Sequence, residues 1–426
     1  MTTLDLDYIR KQFPAFTEPS LKGWAFFENA GGSYACGPVI DRLNRYYRET
    51  KVQPYGNYPA SIRAGAEMDE AHRRLAAYLN VGEAEVHFGP STSQNTYVLA
   101  QAFRGILKAG DEIIVTNQDH EANSGSWRRL AGDRPHETGG PSGTLTDLPS
   151  GIIVREWTID RETGMLNPDD LDALLSDKTR LVAFPHASNI VAHINPVADI
   201  VARAHAAGAW AVVDGVAAAP YGLPDVDALG ADVYLFSLYK TYGPHQGLMV
   251  IRTPLLEQLP NQGHFFNAGI PRKKLTPAGP DHAQVAAAAG IADYLDSVYT
   301  HHFTEQVDAA ERGRRIHDLF RGAEQARVAP LLDYLAGRSD VQIIGPTDPA
   351  QRMPTVSVLS HNHPAPWLAR QMAEHGLMVG SGHFYGARVL LGMGIPLDPG
   401  VLRLSFVHYT TADEVGRLIE ALDQIL

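Results

Sequence analysis

The stretch AWAVVDGVAAAPYGLPDVDALGADVYLFSLYKTYGPHQGLMVIR, Ala209 to Arg252, holds three apolar runs, AWAVVD, VYLFSL and GLMVIR, parted by turn and helix chemistry. None alternates apolar with polar residues. Runs of this kind suit strands covered on both faces, the condition of a mostly parallel sheet. Upstream, EIIVTN (Glu112–Asn117) and LVAFPH (Leu181–His186) read the same way. Between LVAFPH and AWAVVD lies NPVADIVARAHAAG, where Asn195 suits an N-cap, Pro196 the first helical position and Gly208 the stop. NPDDLDALL repeats the device with Asn167 and Pro168. Downstream, TADEVGRLIEALDQIL opens on a capping box, Thr411 and Glu414, and carries an apolar stripe of Val415, Leu418, Ile419 and Leu422. The central block is therefore expected to be α/β, and the last ~130 residues a smaller α+β domain.

Composition narrows the class of protein. The chain has 426 residues, 44% hydrophobic and 20% charged, with a formal net charge of −12. That is an ordinary globular balance. The acidic charge and the lack of a basic cluster argue against nucleic acid and anionic membranes as partners. No apolar run approaches the ~18 residues of a membrane span, and MTTLDLDYIRKQF lacks the layout of a secretory leader. One cysteine, Cys36, excludes an intrachain disulfide and a thiolate metal cage. A cytoplasmic enzyme is expected. Gly132 to Gly151, rich in Gly, Pro and Thr, reads as a surface loop or short hairpin. The histidines at 301, 302, 361 and 363 lack carboxylates at matching spacing, so no metal site is expected. Neither GxxxxGKS nor GxGxxG occurs.

Open parallel sheets bind ligands beyond the carboxyl ends of their strands. His120 and Asn123 follow EIIVTN, Ser188 and Asn189 follow LVAFPH, Asp214 ends AWAVVD, and Tyr239 and Lys240 follow VYLFSL. GPSTSQN, Gly89 to Asn95, opens a helical pattern with hydroxyl residues and can hold a phosphate. Each has a plainer reading: Lys240 as a surface lysine, Asp214 as turn chemistry, His120 and Asn189 as loop caps, Ser91, Thr92 and Ser93 as an N-cap. Their joint placement fits pyridoxal 5′-phosphate. That cofactor needs a lysine amine (Lys240), an acid for its ring nitrogen (Asp214) and a phosphate cradle (Ser91–Ser93). It also takes a flat ring on its face (His120) and a donor to its phenolic oxygen (Asn189).

At these residues the chain resembles the class V aminotransferases, and within them the cysteine desulfurase and selenocysteine lyase branch. FENAGG (Phe27–Gly32), QDHEAN, SNIVAHINPV, VVDGVAAAPY, FSLYKTYGPHQGL and LRLSFVHYTTADEV carry the resemblance. It implies a fold type I pyridoxal-phosphate architecture: residues 21–290 as a large domain, 291–426 as a small one, and 1–20 packed on the small domain. It implies a homodimer. It adds Ser237 and Tyr239 as cofactor contacts, Arg403 as the holder of a substrate carboxylate, and Asn29, His383 and Tyr385 near the substrate. A planar guanidinium suits Arg403's job. Function is expected to be transamination or Cβ-lyase chemistry on a small α-amino acid. Racemisation, desulfuration and a non-catalytic binding role stand as alternatives.

The sequence departs from the desulfurase pattern at five places: Ala217 for a glutamine, Tyr239 for a histidine, Pro280 near a cross-subunit threonine, Gly380 for an arginine, and Tyr385 for the nucleophilic cysteine. A phenol with pKa near ~10 carries no sulfane sulfur, so no cysteine persulfide is expected. Cys36 reads as a small buried hydrophobe, its rival role being a relocated nucleophile.

Overall fold

In the computed structural model, which describes residues 2–134, 143–144 and 151–426, seven strands form the main sheet. They are β1 (Val86–Gly89), β2 (Glu112–Thr116), β3 (Ile153–Trp157), β4 (Thr179–Pro185), β5 (Trp210–Asp214), β6 (Val233–Ser237) and β7 (Gly247–Ile251). Their order across the sheet is β1-β7-β6-β5-β4-β2-β3. Pairing is parallel from β6 through β3, and β7 alone runs antiparallel to its neighbours β1 and β6. GLMVIR is thus the reversed strand.

The uniformly apolar runs have a structural reason. Leu181, Ala183, Val212, Val233 and Leu235 pack into one layer. Their alternates Val182, Phe184, Val213, Tyr234 and Phe236 pack into the layer on the other face. With helices over both sides, neither face has a polar register to keep.

The caps bear on element boundaries. Asn167 caps its helix by accepting from Asp169 N at 3.2 Å, and Thr411 with Glu414 forms the capping box of Ala412–Ile425. Asn195 does not cap. The helix Val197–Ala206 starts two residues later, and the Asn195 amide instead donates to Gln118 Oε1 and Pro185 O at 2.7 and 2.8 Å. That amide is buried and ties the β4 exit to the segment after β2. Of Gly132–Gly151, a two-residue antiparallel pair joins Asp133–Arg134 to Gly143–Thr144. The rest of the expected loop or hairpin, 135–142 and 145–150, lies outside the described residues.

A second, antiparallel sheet follows: β8 (Val341–Ile344), β9 (Thr355–Ser360), β10 (Gly380–Gly382) and β11 (Val401–Ser405), in the order β8-β9-β11-β10. Its own core gathers Val356, Val358, Leu402, Leu404, Leu418 and Leu422, together with Ala25 and Phe27. Ile316 and Phe320 of the long helix Ala309–Ala336 belong to the large core, whereas Val328, Leu331 and Leu335 belong to the second. We propose that the division between domains runs inside this helix rather than near residue 290. The N-terminal helix Leu6–Lys11 is held by both units. Arg10 pairs with Glu414 at 3.0 Å, while Ile9 and Phe13 enter the large core.

Candidate active site

Strand register builds the site. Gly247 stands opposite both Gly89 and Ser237, and Pro185 pairs with Asp214. The carboxyl ends of β1, β4, β5 and β6 therefore open on one crevice. Its walls include Ser91, Thr92, Ser93, His120, Asn189, Asp214, Ser237, Tyr239 and Lys240. The structure brings these sequence-predicted groups together.

The helix after β1, α1 (Thr92–Arg104), aims its N-terminus into the crevice. Ser91 caps Gln94 N at 3.2 Å, and the Thr92 and Ser237 hydroxyls meet at 2.7 Å. The first amides of any helix lack intrahelical acceptors, so those of Thr92 and Ser93 join the hydroxyls as an anion cradle. Gly247 makes this approach possible: a Cβ there would stand 2.4 to 2.7 Å from Ser91 and Thr92 backbone atoms.

Lys240 ends a short turn after β6, and burial with the nearby Arg403 charge pushes its amine down to about 8. Asp214 is buried, accepts from Val216 N at 2.8 Å, and has its carboxyl pushed up to about 6 by desolvation. His120 accepts from Ala122 N at 3.0 Å through Nδ1, which fixes the ring. Burial, with Lys240 and Arg403 adding, pushes its pKa down to about 3, so the imidazole is neutral at physiological pH. Asn189 donates through Nδ2 to Phe384 O at 2.9 Å, and its Oδ1 is buried without a partner.

Arg403, on β11, is 2% exposed and so is no surface arginine. It pairs with Glu28 Oε1 at 2.7 Å, and the Phe384 ring covers its guanidinium at 3.7 Å. Tyr385 and His383 stand exposed on the loop after β10. Tyr385 O accepts from Glu121 N at 2.9 Å, its ring lies 5.4 Å from that of His120, and Arg388 pairs with Glu121 at 3.0 Å. The loop is thereby fastened beside the His120 segment. Phe384 and Tyr385 both take the left-handed conformation, with φ of 49° and 58°, an arrangement that costs ordinary side chains energy.

Asn29 is not brought into the site. It is buried, and its Nδ2 donates to Phe26 O and Ser405 O while Oδ1 accepts from Tyr409 OH. Both N–H groups are spent, one on the local Phe26 carbonyl and one on tying the FENAGG segment to β11. The neighbouring Glu28 is the group that reaches Arg403, and sequence reasoning passed over it. A carboxylate within an apolar opening motif was the available signal. Tyr221 and Thr355, joined at 3.4 Å, also line the crevice. No local pattern marks Thr355, which comes from the second sheet, and Tyr221 ends the VVDGVAAAPY motif without following a strand directly. Cys36 is fully buried, with Sγ 3.7 Å from Gly290 O and its thiol pushed up to about 12 by desolvation.

A crevice at the strand ends, with a buried lysine, a buried aspartate, a neutral histidine and an anion cradle, defines a cofactor enzyme of the α/β class. The class-V aminotransferase family model matches residues 25–139, 143–276 and 315–418. The chain belongs to that family. It is 34% identical to the aminotransferase-like protein FGM3 of Gibberella zeae, over 100% of this chain and 99% of that one. It is 27% identical to a cysteine desulfurase of Serratia proteamaculans, over 99% and 98%. Among solved structures, the apo cysteine desulfurase of Thermococcus onnurineus superposes with a TM-score of 0.83 at 22% identity, covering 100% and 98% of the two chains. The architecture is fold type I, and membership makes this a pyridoxal-phosphate-dependent enzyme.

Proposed function

We propose that the enzyme acts on a small α-amino acid, by transamination or Cβ-lyase chemistry, without a cysteine persulfide. The observation that carries this reading is the meeting of Lys240, Asp214, His120 and the α1 cradle in one crevice whose lining has no thiol. The residues fit the cofactor: hydroxyls and free amides for the phosphate, a buried carboxylate for the ring nitrogen, and a neutral imidazole to lie on the ring face. When bound, pyridoxal phosphate supplies an aldehyde that takes an amine and a ring that draws electrons from bonds at the amine-bearing carbon.

In this reading Lys240 is the amine that would hold the cofactor's aldehyde. Its lowered basicity, at about 8, leaves a minor fraction of the amine neutral near physiological pH, far more than in an ordinary lysine, and able to take the proton from the substrate's α-carbon. Asp214 holds a proton on the ring nitrogen. Ser91, Thr92, Ser93 and Ser237 hold the phosphate, with Tyr239 beside it. One hydrogen of Asn189 Nδ2 goes to Phe384, and the other is free for the phenolic oxygen. Arg403 orients the substrate through its carboxylate. His383 and Tyr385 stand at the rim, where they contact a side chain rather than the α-carbon.

The persulfide route is set aside because Tyr385 stands at the nucleophile's position and Cys36 is sealed in the core. A homodimer is part of the proposal. The exposed apolar side chains Tyr55, Tyr58, Ile62, Phe265 and Phe266 would supply apolar surface to it. Among the described residues no helix is long and apolar enough to cross a membrane. The test is incubation of holoenzyme with an amino-acid panel. A keto acid without ammonia marks transamination, a keto acid with ammonia marks elimination, and inertness toward every amino acid rejects the reading.

A further inference from the structure

We propose that Glu28 is a specificity-determining residue that selects an α-amino acid whose side chain carries a second, cationic group. The inference rests on Arg403 as the carboxylate holder. Glu28 Oε1 already pairs with Arg403 at 2.7 Å, and its Oε2 is buried with no hydrogen-bond partner. The space for this carboxylate is made by two glycines. A Cβ on Gly380 would come within 2.2 Å of Oε2, and one on Gly31 within 2.7 Å of Oε1. No side chain at either position could coexist with Glu28 where it stands.

Charge accounting leads to the substrate. A carboxylate that engages Arg403 competes with Glu28 for the guanidinium: Nη2 is paired with Glu28, Nη1 donates to Asn189 O at 3.4 Å, Nε alone is without a partner, and Phe384 covers the face. A neutral-side-chain amino acid that displaces Glu28 leaves this half-buried carboxylate, its Oε2 already buried and unpartnered, without its cation, which is costly. Lys240 also faces Glu28, but its amine is committed to the cofactor and to the α-proton. The substrate's own amino group is consumed at the cofactor as well. A second cation on the substrate, an amino or guanidino group, turns the displacement into an exchange: one ion pair opens and two close.

The test is titration of holoenzyme with isosteric pairs, lysine against norleucine and arginine against citrulline, reading Kd from the cofactor's visible absorbance. Wild type should bind the cationic member of each pair at least about tenfold more tightly. In Glu28→Gln the neutral members should bind more tightly than in wild type and the cationic ones less, bringing the ratio within about twofold. Glu28→Asp, which keeps the charge, should retain the preference. Should Glu28→Gln lose its cofactor, the wild-type ratio and the Glu28→Asp titration decide alone. Equal binding within pairs by wild type, or an unchanged ratio in Glu28→Gln, overturns the role of Glu28 and leaves the α-amino-acid reading standing. If no amino acid of either kind perturbs the spectrum, both readings fall.

Discussion

Asp214→Asn should make the cofactor-free protein more stable at pH 8 while removing most of its turnover. The carboxyl is buried on β5, and desolvation lifts its pKa from the ordinary 3.8 to about 6 against the pull of the Val216 N–H and Lys240. Folded, the group binds its proton more tightly than unfolded. The stability this lends is complete below about pH 4 and is lost as pH rises through about 6. Two pKa units are worth about 3 kcal/mol, so the ionised carboxylate costs the apoprotein about that much at pH 8 and roughly half near pH 5. Asparagine keeps an oxygen for Val216 N and carries no charge. Urea unfolding of both apoproteins, at matched concentration, should show the variant ahead by about 2–3 kcal/mol at pH 8, with the gap narrowing toward pH 5. In the holoenzyme the carboxylate has a cationic partner, so there the substitution should weaken cofactor retention. A variant no more stable than wild type at pH 8, or a gap indifferent to pH, would refute the reasoning.

Cys36→Ala should leave turnover essentially intact, because the thiol is buried and held protonated well above physiological pH; loss of activity, or persulfide on Cys36 by mass spectrometry after cysteine treatment, would restore a desulfurase assignment. Arg403→Ala should raise KM for a carboxylate substrate more than it lowers kcat, with Lys a partial substitute, as steady-state kinetics would show. The kcat profile should rise with pH through about 8, since the Lys240 amine depressed to that value must be neutral to accept the α-proton; a flat profile from pH 6 to 9 would remove Lys240 as the base.

Much of this was legible in the sequence because parallel-sheet physics leaves marks there. Strands covered on both faces lose alternation, so β4, β5 and β6 were evident as apolar runs. Their polar successors, Asn189, Asp214 and Lys240, had to share the strand-end crevice. Short β1 and the mixed-polarity β3 gave no such run and went unread. Asn195 was misread as a cap because NP looks the same whether its amide faces the helix or, as here, the β4 carbonyl. Asn29 was given the substrate role when its neighbour Glu28 makes the contact with Arg403. Which of Glu28 and Asn29 faces the site depends on the bridge between Glu28 and Ser405 of β11, which the local pattern does not encode. Thr355 was illegible because the second sheet supplies it to the crevice, whereas Tyr221 ends the VVDGVAAAPY motif without following a strand directly.

The account stands most directly on Lys240 as the amine that holds the cofactor. Borohydride reduction of the native holoenzyme, followed by proteolysis and mass spectrometry, reads that link by position. A pyridoxyl-phosphate mass on the peptide containing Lys240, absent from the Lys240→Ala variant while that variant still unfolds cooperatively, is the expected result. The same mass on another lysine, or an unmodified Lys240 in a protein that still turns over amino acids, would contradict it.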